Sequence, residues 1–129
     1  MRPHNFIICI AMLATSPLAH AATPTPSAAT AAITTVTQAA RTNDFATLRK
    51  TMADEFTWSF GGDASADQAI DEWKQNPESM RSLMEVLRIA CHAKGSTHVE
   101  CPGKGDLDFR AGFEKTAAGW QFKYFLAGD

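Results

Sequence analysis

The chain has 129 residues, 45% of them hydrophobic, with 12 Lys and Arg against 14 Asp and Glu and a formal charge of −2. That length suits one compact domain and is too short for two, and the apolar content is that of a chain that buries a core. No basic stripe interrupts the near balance of charge, which argues against nucleic acid and anionic lipid headgroups as partners.

Residues 1–21 read as a signal peptide. Arg2 gives a positive start, Phe6 to Leu13 an apolar run, and Ala19-His20-Ala21 the small residues of a cleavage site near Ala21-Ala22. The run is too short to span a bilayer, and no second apolar segment follows, so no integral membrane segment is expected. The expected product is a periplasmic or secreted chain with 11 basic and 14 acidic residues and a charge of about −3. Cys9 goes with the leader. Cys91 and Cys101 remain, and an even pair in an oxidising compartment predicts a disulfide. It closes a loop of about 11 residues, worth about 2–3 kcal/mol in the chain-entropy picture.

Thr23-Pro24-Thr25-Pro26-Ser27 favours extended polyproline backbone, so residues 22–29 read as a disordered spacer ahead of a single domain over 30–129. Ile33, Val36 and Ala40 recur at helical spacing. Asn43-Asp44 breaks the pattern, and Phe45, Leu48 and Met52 restart it, which predicts two helices joined by a tight turn. Phe56-Thr57-Trp58-Ser59-Phe60 alternates as a half-buried strand ended by Gly61-Gly62. Ser65-Ala66-Asp67-Gln68 is a capping box ahead of a helix that turns Ala66, Ala69, Ile70 and Trp73 inward. Asn76-Pro77 is a cap followed by proline at the first helical position. Behind it Met80, Leu83, Met84, Leu87 and Cys91 share one face, with Cys91 in the last turn.

The remainder reads as sheet. His98 to Cys101 is a short strand, and Pro102-Gly103 with Gly105 makes a turn. Leu107, Phe109, Ala111 and Phe113 alternate with polar positions; after Thr116-Ala117-Ala118-Gly119, Trp120, Phe122, Tyr124 and Leu126 alternate again, which predicts a hairpin. Helices first and strands last, without βαβ alternation, give an α+β class with N-terminal helices packed on a C-terminal antiparallel sheet.

The segment Thr37 to Phe60, with Arg41-Thr42-Asn43-Asp44-Phe45 at its turn, resembles the start of NTF2-like (SnoaL-like) domains. The closing Gly119-Trp120-Gln121-Phe122-Lys123-Tyr124-Phe125 is similar to their last strand. The resemblance implies a bent sheet and helices forming a cone around a pocket. The helix from Pro77 to Cys91 and the cysteine-closed turn depart from that pattern, and no position here matches the family's aspartate–histidine pair. Because the family holds isomerases, dehydratases, hydrolases and non-catalytic binders, the fold implies no one activity. The Phe-x-Ala-Gly-Asp tail is also similar to that of small bacterial envelope proteins without an assigned activity.

Four groups of residues invite a chemical reading. Cys91, His92, His98 and Cys101 carry zinc-ligand chemistry, but the spacing fits no common zinc pattern and the compartment favours the disulfide. His92 and His98 then read as solvent-facing loop residues, not as a general base. Glu55, Asp63, Asp67 and Asp71 surround the Gly61-Gly62 turn and could share acid and base roles; Asp63 and Asp67 more simply complement the positive end of the helix starting at Ser65. Phe56, Trp58, Phe60, Trp73, Trp120, Phe122 and Tyr124 form an aromatic set that fills a core or lines a pocket. Arg41 and Arg110 read as solvated surface. No metal, cofactor or catalytic residue is assigned. The reading that follows is a non-enzymatic periplasmic binding or inhibitor-type module, acting on an envelope protein or a small ligand. The alternative is an NTF2-like small-molecule binder or enzyme with a pocket lined by Trp58, Trp73, Trp120 and Tyr124 and an acid at Glu55 or Asp71.

Overall fold

The computed structural model describes residues 25–59, 64–102 and 108–127. The expected signal peptide, the expected spacer up to Pro24, Phe60 to Asp63, the expected turn with Gly103 and Gly105, Leu107 and Gly128-Asp129 lie outside the described residues.

Helix α1 (Ser27–Arg41) buries Ala29, Val36, Ala39 and Ala40. It starts ahead of the expected Thr30 because Ala29 packs fully inside the core, and the Pro26 carbonyl accepts from the Thr30 N–H at 3.0 Å. Asn43 takes left-handed backbone with φ 53°, which a short polar side chain tolerates, and turns the chain into α2 (Phe45–Thr51). Asp44 caps that helix, accepting from the Thr47 N–H at 3.1 Å and from the Thr47 hydroxyl at 2.6 Å.

Strand β1 (Met52–Thr57) follows with no loop. Met52, expected on the helical stripe of Phe45 and Leu48, opens the strand instead, because its pairing with Phe122 places it in the core. Among the described residues of the alternation expected from Phe56, Phe56 is a buried strand residue and Trp58 lies just past the strand. Arg49 fixes this corner, its Nη2 on Asp54 Oδ1 at 2.8 Å and its Nε on Asp67 Oδ1 at 2.7 Å. Asp67 therefore serves a tie between elements as well as the start of α3.

Both later helices start where local chemistry places them. Ser65 Oγ accepts from the Gln68 N–H at 3.3 Å and caps α3 (Ala66–Gln75), which turns Ala66, Ala69, Ile70 and Trp73 inward. Asn76 Oδ1 accepts from the Glu78 N–H at 3.2 Å and caps α4 (Pro77–Arg88), which buries Met80, Leu83, Val86 and Leu87. Cys91 does not sit in the last turn of α4. The chain turns extended at Ile89, so that β2 (His92–Ala93) can lie antiparallel to β3 (His98–Cys101). There Cys91 and Cys101 form a disulfide with Cα atoms 4.3 Å apart.

Strands β4 (Phe109–Thr116) and β5 (Gly119–Ala127) form the expected hairpin. The sheet order is β1-β5-β4-β3-β2, and it is mixed, not wholly antiparallel: β1 runs parallel to β5. The long connection through two helices and three strands is what allows a parallel partner. One face of the sheet packs on the helices. Its centre is Phe122, whose ring lies 4.8 Å from Phe56 and 5.1 Å from Phe113, with Trp73 5.5 Å from Phe56 on the helix side. The α+β architecture thus has a solid aromatic core where helices meet sheet.

Truncating a fully buried aromatic leaves a cavity that a small core cannot close, at a cost of about 3–5 kcal/mol. Phe122→Ala is expected to lose that much in urea denaturation, and Phe122→Leu clearly less.

Candidate functional site

At the end of the sheet where β1 and β5 finish and β4 begins, the core opens into a cleft of about 360 Å³. Its aromatic wall is Trp58, just past β1, with Trp73 from α3, Phe109 from β4 and Phe125 from β5; Glu72 and Asn76 stand at its polar side. Phe109 and Phe125 stack at 5.2 Å, and Trp73 meets Phe125 edge-on at 6.0 Å. Trp58 Nε1 is buried with no hydrogen-bond partner among the described residues, an uncommon state for an indole donor. A larger hollow of about 460 Å³ lies over the α1–α2 turn, lined by Thr35, Gln38, Arg41, Thr42, Asp44 and Thr47. It has no apolar floor comparable to the aromatic wall, and its carboxylate is already engaged in capping α2. The aromatic cleft is the better binding site on those grounds.

The opposite face of the sheet carries a different arrangement. A β-bulge shifts the register between Gly112 and Phe113, pairing Gly112 with Tyr124 and Phe113 with Phe122. Lys123 is the extra residue. Phe122 and Phe125 therefore both point into the core, and Tyr124 points out of it. His92, Glu100, Gly112 and Tyr124 form one row across β2, β3, β4 and β5. A Cβ on residue 112 would fall on the Tyr124 ring carbons, so glycine lets the ring lie flat across β4. Its hydroxyl then donates to Glu100 Oε2 at 2.5 Å. Glu100 Oε1 meets Lys94 Nζ at 2.9 Å and Arg110 Nη1 at 3.5 Å. His98 places Nε2 3.0 Å from the Tyr124 oxygen and Nδ1 3.5 Å from Glu114. Since the tyrosine proton is committed to Glu100, His98 Nε2 is the donor in that contact.

Glu100 is 7% exposed and is the one buried charged residue among the described residues. Burial raises its pKa, but the Tyr124 hydroxyl together with Lys94 and Arg110 outweighs this and holds the carboxyl below its ordinary range. Burial and the neighbouring carboxylate push the Tyr124 phenol well above its usual value. The pair is an ionised acceptor and a firmly protonated donor, an anchor and not a poised acid and base.

The residues assigned to a pocket from the sequence are thus divided. Trp58 and Trp73 meet in the cleft. Trp120 lies toward the hairpin turn, packed against the core away from it. Tyr124 is on the other face, while Glu55 and Asp71 are exposed and are not among the residues lining this cleft. The carboxylate at the cleft is Glu72, the neighbour of Trp73. His92 and His98 are strand residues, not loop residues, and Arg110 reaches Glu100. Among the described residues no group of three or more His, Cys, Asp or Glu is placed to hold a metal ion, and no helix is long and apolar enough to cross a membrane.

The sequence matches no family model and no curated protein. In overall arrangement the chain is similar to a Shewanella frigidimarina protein described as a candidate ketosteroid isomerase. That similarity has TM-score 0.47 and 16% identity, over 79% of this chain and 95% of that one. It is also similar to a variant protein designated NTF2 that carries five substitutions, with TM-score 0.48 and 14% identity over 78% and 96% of the two chains. Likeness at this level says nothing of chemistry.

Two consequences can be measured. The folded protein binds the Glu100 proton more weakly than the unfolded chain does. The network's stabilisation is therefore full above the ordinary carboxylate value of 4.5 and is lost as pH falls through the lower folded value. Glu100→Gln is expected to cost about 1.5–3 kcal/mol at pH 7, the range for hydrogen bonds to a charged group, and to lose less than wild type between pH 7 and pH 3 in urea titrations. Gly112→Ala is expected to cost about 1–3 kcal/mol by overpacking. That cost should shrink in a Tyr124→Ala background, where the ring is gone.

Proposed function

We propose that the chain is an exported, non-enzymatic binding module whose aromatic cleft takes a small, flat, largely apolar molecule. The observation that carries this reading is the cleft itself. Two tryptophans and two phenylalanines, three of them from α3, β4 and β5 and Trp58 from just past β1, converge on a volume at the small end of the range for ligand sites. Flat aromatic walls favour a planar ligand through offset stacking and edge contacts.

The described lining of the cleft is a set of aromatic rings with one carboxylate at its polar side, which supports binding. Glu72 is the one titratable side chain among the described residues lining the cleft, and it is exposed. The buried carboxylate that a general acid or base would call for lies on the other face of the sheet and is engaged by a tyrosine, a lysine and an arginine. Export rests on the leader pattern of residues 1–21, and the cysteine pairing is consistent with an oxidising compartment.

The test uses 2-naphthol as a probe in a calorimetric titration with ligand-detected NMR. Saturable one-to-one binding is expected, weakened about tenfold or more by Trp58→Ala, a residue outside the regular strands. Thr35→Ala, in the hollow over α1 and α2, should leave it unchanged. No saturable binding, or binding equal in wild type and Trp58→Ala, overturns the reading.

A further inference from the structure

We propose that the Cys91–Cys101 disulfide is a redox control on the sheet: closed, it holds Lys94 over the buried Glu100 carboxylate, and opened by thiol exchange it lets that cation go. The inference is independent of what the cleft binds.

The geometry of the edge carries it. Strand β2 has only two residues, sits at the margin of the sheet and pairs with β3 alone. Its ladder is His92 opposite Glu100, Ala93 opposite Val99, and the Lys94 N–H on the His98 carbonyl at 2.8 Å. A strand this short contributes little hold of its own. The disulfide closes the open end of the same hairpin, one residue before β2 and at the last residue of β3. Lys94 lies just past β2, and its ammonium contacts Glu100 at 2.9 Å, the nearer of the two cations on Oε1. The groups facing Glu100 are His92 on β2, Lys94 beyond it, His98 on β3, Arg110 and Glu114 on β4 and Tyr124 on β5. Of these, His92 and Lys94 are the ones held by the disulfide-closed edge. The others belong to strands with partners on both sides.

The exchange is chemically simple. Cys91 is partly exposed and Cys101 fully buried, so a small thiolate attacks the Cys91 sulfur and releases Cys101 as thiolate. A second thiol resolves the mixed disulfide, leaving two protein thiols and one oxidised small-molecule disulfide. With the edge freed, Glu100 keeps its tyrosine but loses its closer cation.

The experiment compares the full chain oxidised and after reduction with dithiothreitol at pH 8, then transferred to buffers between pH 3 and pH 7 and unfolded in urea. If the disulfide acted only by restricting the unfolded chain, its contribution would not depend on Glu100. Under the proposal, reduction lowers the midpoint on the order of twofold further at pH 7, where Glu100 is charged, than at pH 3, toward which it takes up its proton. In Glu100→Gln the loss on reduction becomes the same at both pH values, which separates Glu100 from the histidines. Lys94→Met covers the case in which the reduced chain does not refold: in the oxidised protein it should lower the midpoint more at pH 7 than at pH 3. A loss on reduction that is equal at both pH values in wild type overturns the proposal. So does one that stays pH-dependent in Glu100→Gln, or a Lys94→Met profile parallel to wild type.

Discussion

Tyr124 reaches Glu100 only across a residue that has no side chain. That contact spans three strands, β5 to β3 over Gly112 on β4, and much of the sheet's geometry depends on it. A buried carboxylate is costly unless its charge is met, and here a hydroxyl and two cations meet it from three different segments. Any slip of one strand against the next would break a charged hydrogen bond. The row therefore sets register on a face that none of the described helices covers, where apolar packing does not specify it.

The bulge at Lys123 makes this possible. With strict alternation, Trp120, Phe122, Tyr124 and Leu126 would share the core face, and Phe125 would lie outside. One extra residue turns Tyr124 out and Phe125 in. Phe125 then stacks on Phe109 and meets Trp73, forming the floor of the cleft. The same irregularity thus supplies the anchor on one face and the aromatic wall on the other.

How much of this was legible in the sequence follows from how local each feature is. Ser65, Asn76 and Pro77 act within a single turn of helix, so their caps could be read directly. The β4–β5 hairpin could be read because strands separated by a short turn pair with each other. The parallel union of β1 with β5, which draws Met52 out of the expected helix, depends on residues seventy positions apart in sequence. Glu100 left no signal at all, since an isolated glutamate in a four-residue strand reads as a solvent-facing polar position. Its burial arises from Tyr124, Lys94 and Arg110, and only the fold brings these together. A glycine opposite an aromatic in a predicted hairpin was the available clue, because a bare position in a strand commonly marks a ring lying across it.

The anchor and the cleft are built from adjacent residues on the same two strands. Arg110 follows Phe109 and Tyr124 precedes Phe125, each pair pointing to opposite faces. A strand is stiff on the scale of two residues, so the side chains that tie β3, β4 and β5 together on the outer face also set the spacing of Phe109 and Phe125 on the inner one. Phe56, Phe113 and Phe122 fill the centre of the core beyond the cleft. A ligand of the cleft would therefore meet a wall whose position is held by charge from behind. Under the proposed reading the buried carboxylate serves the wall and does not touch the ligand. It contributes preorganisation, keeping the apolar surface open in the absence of a ligand.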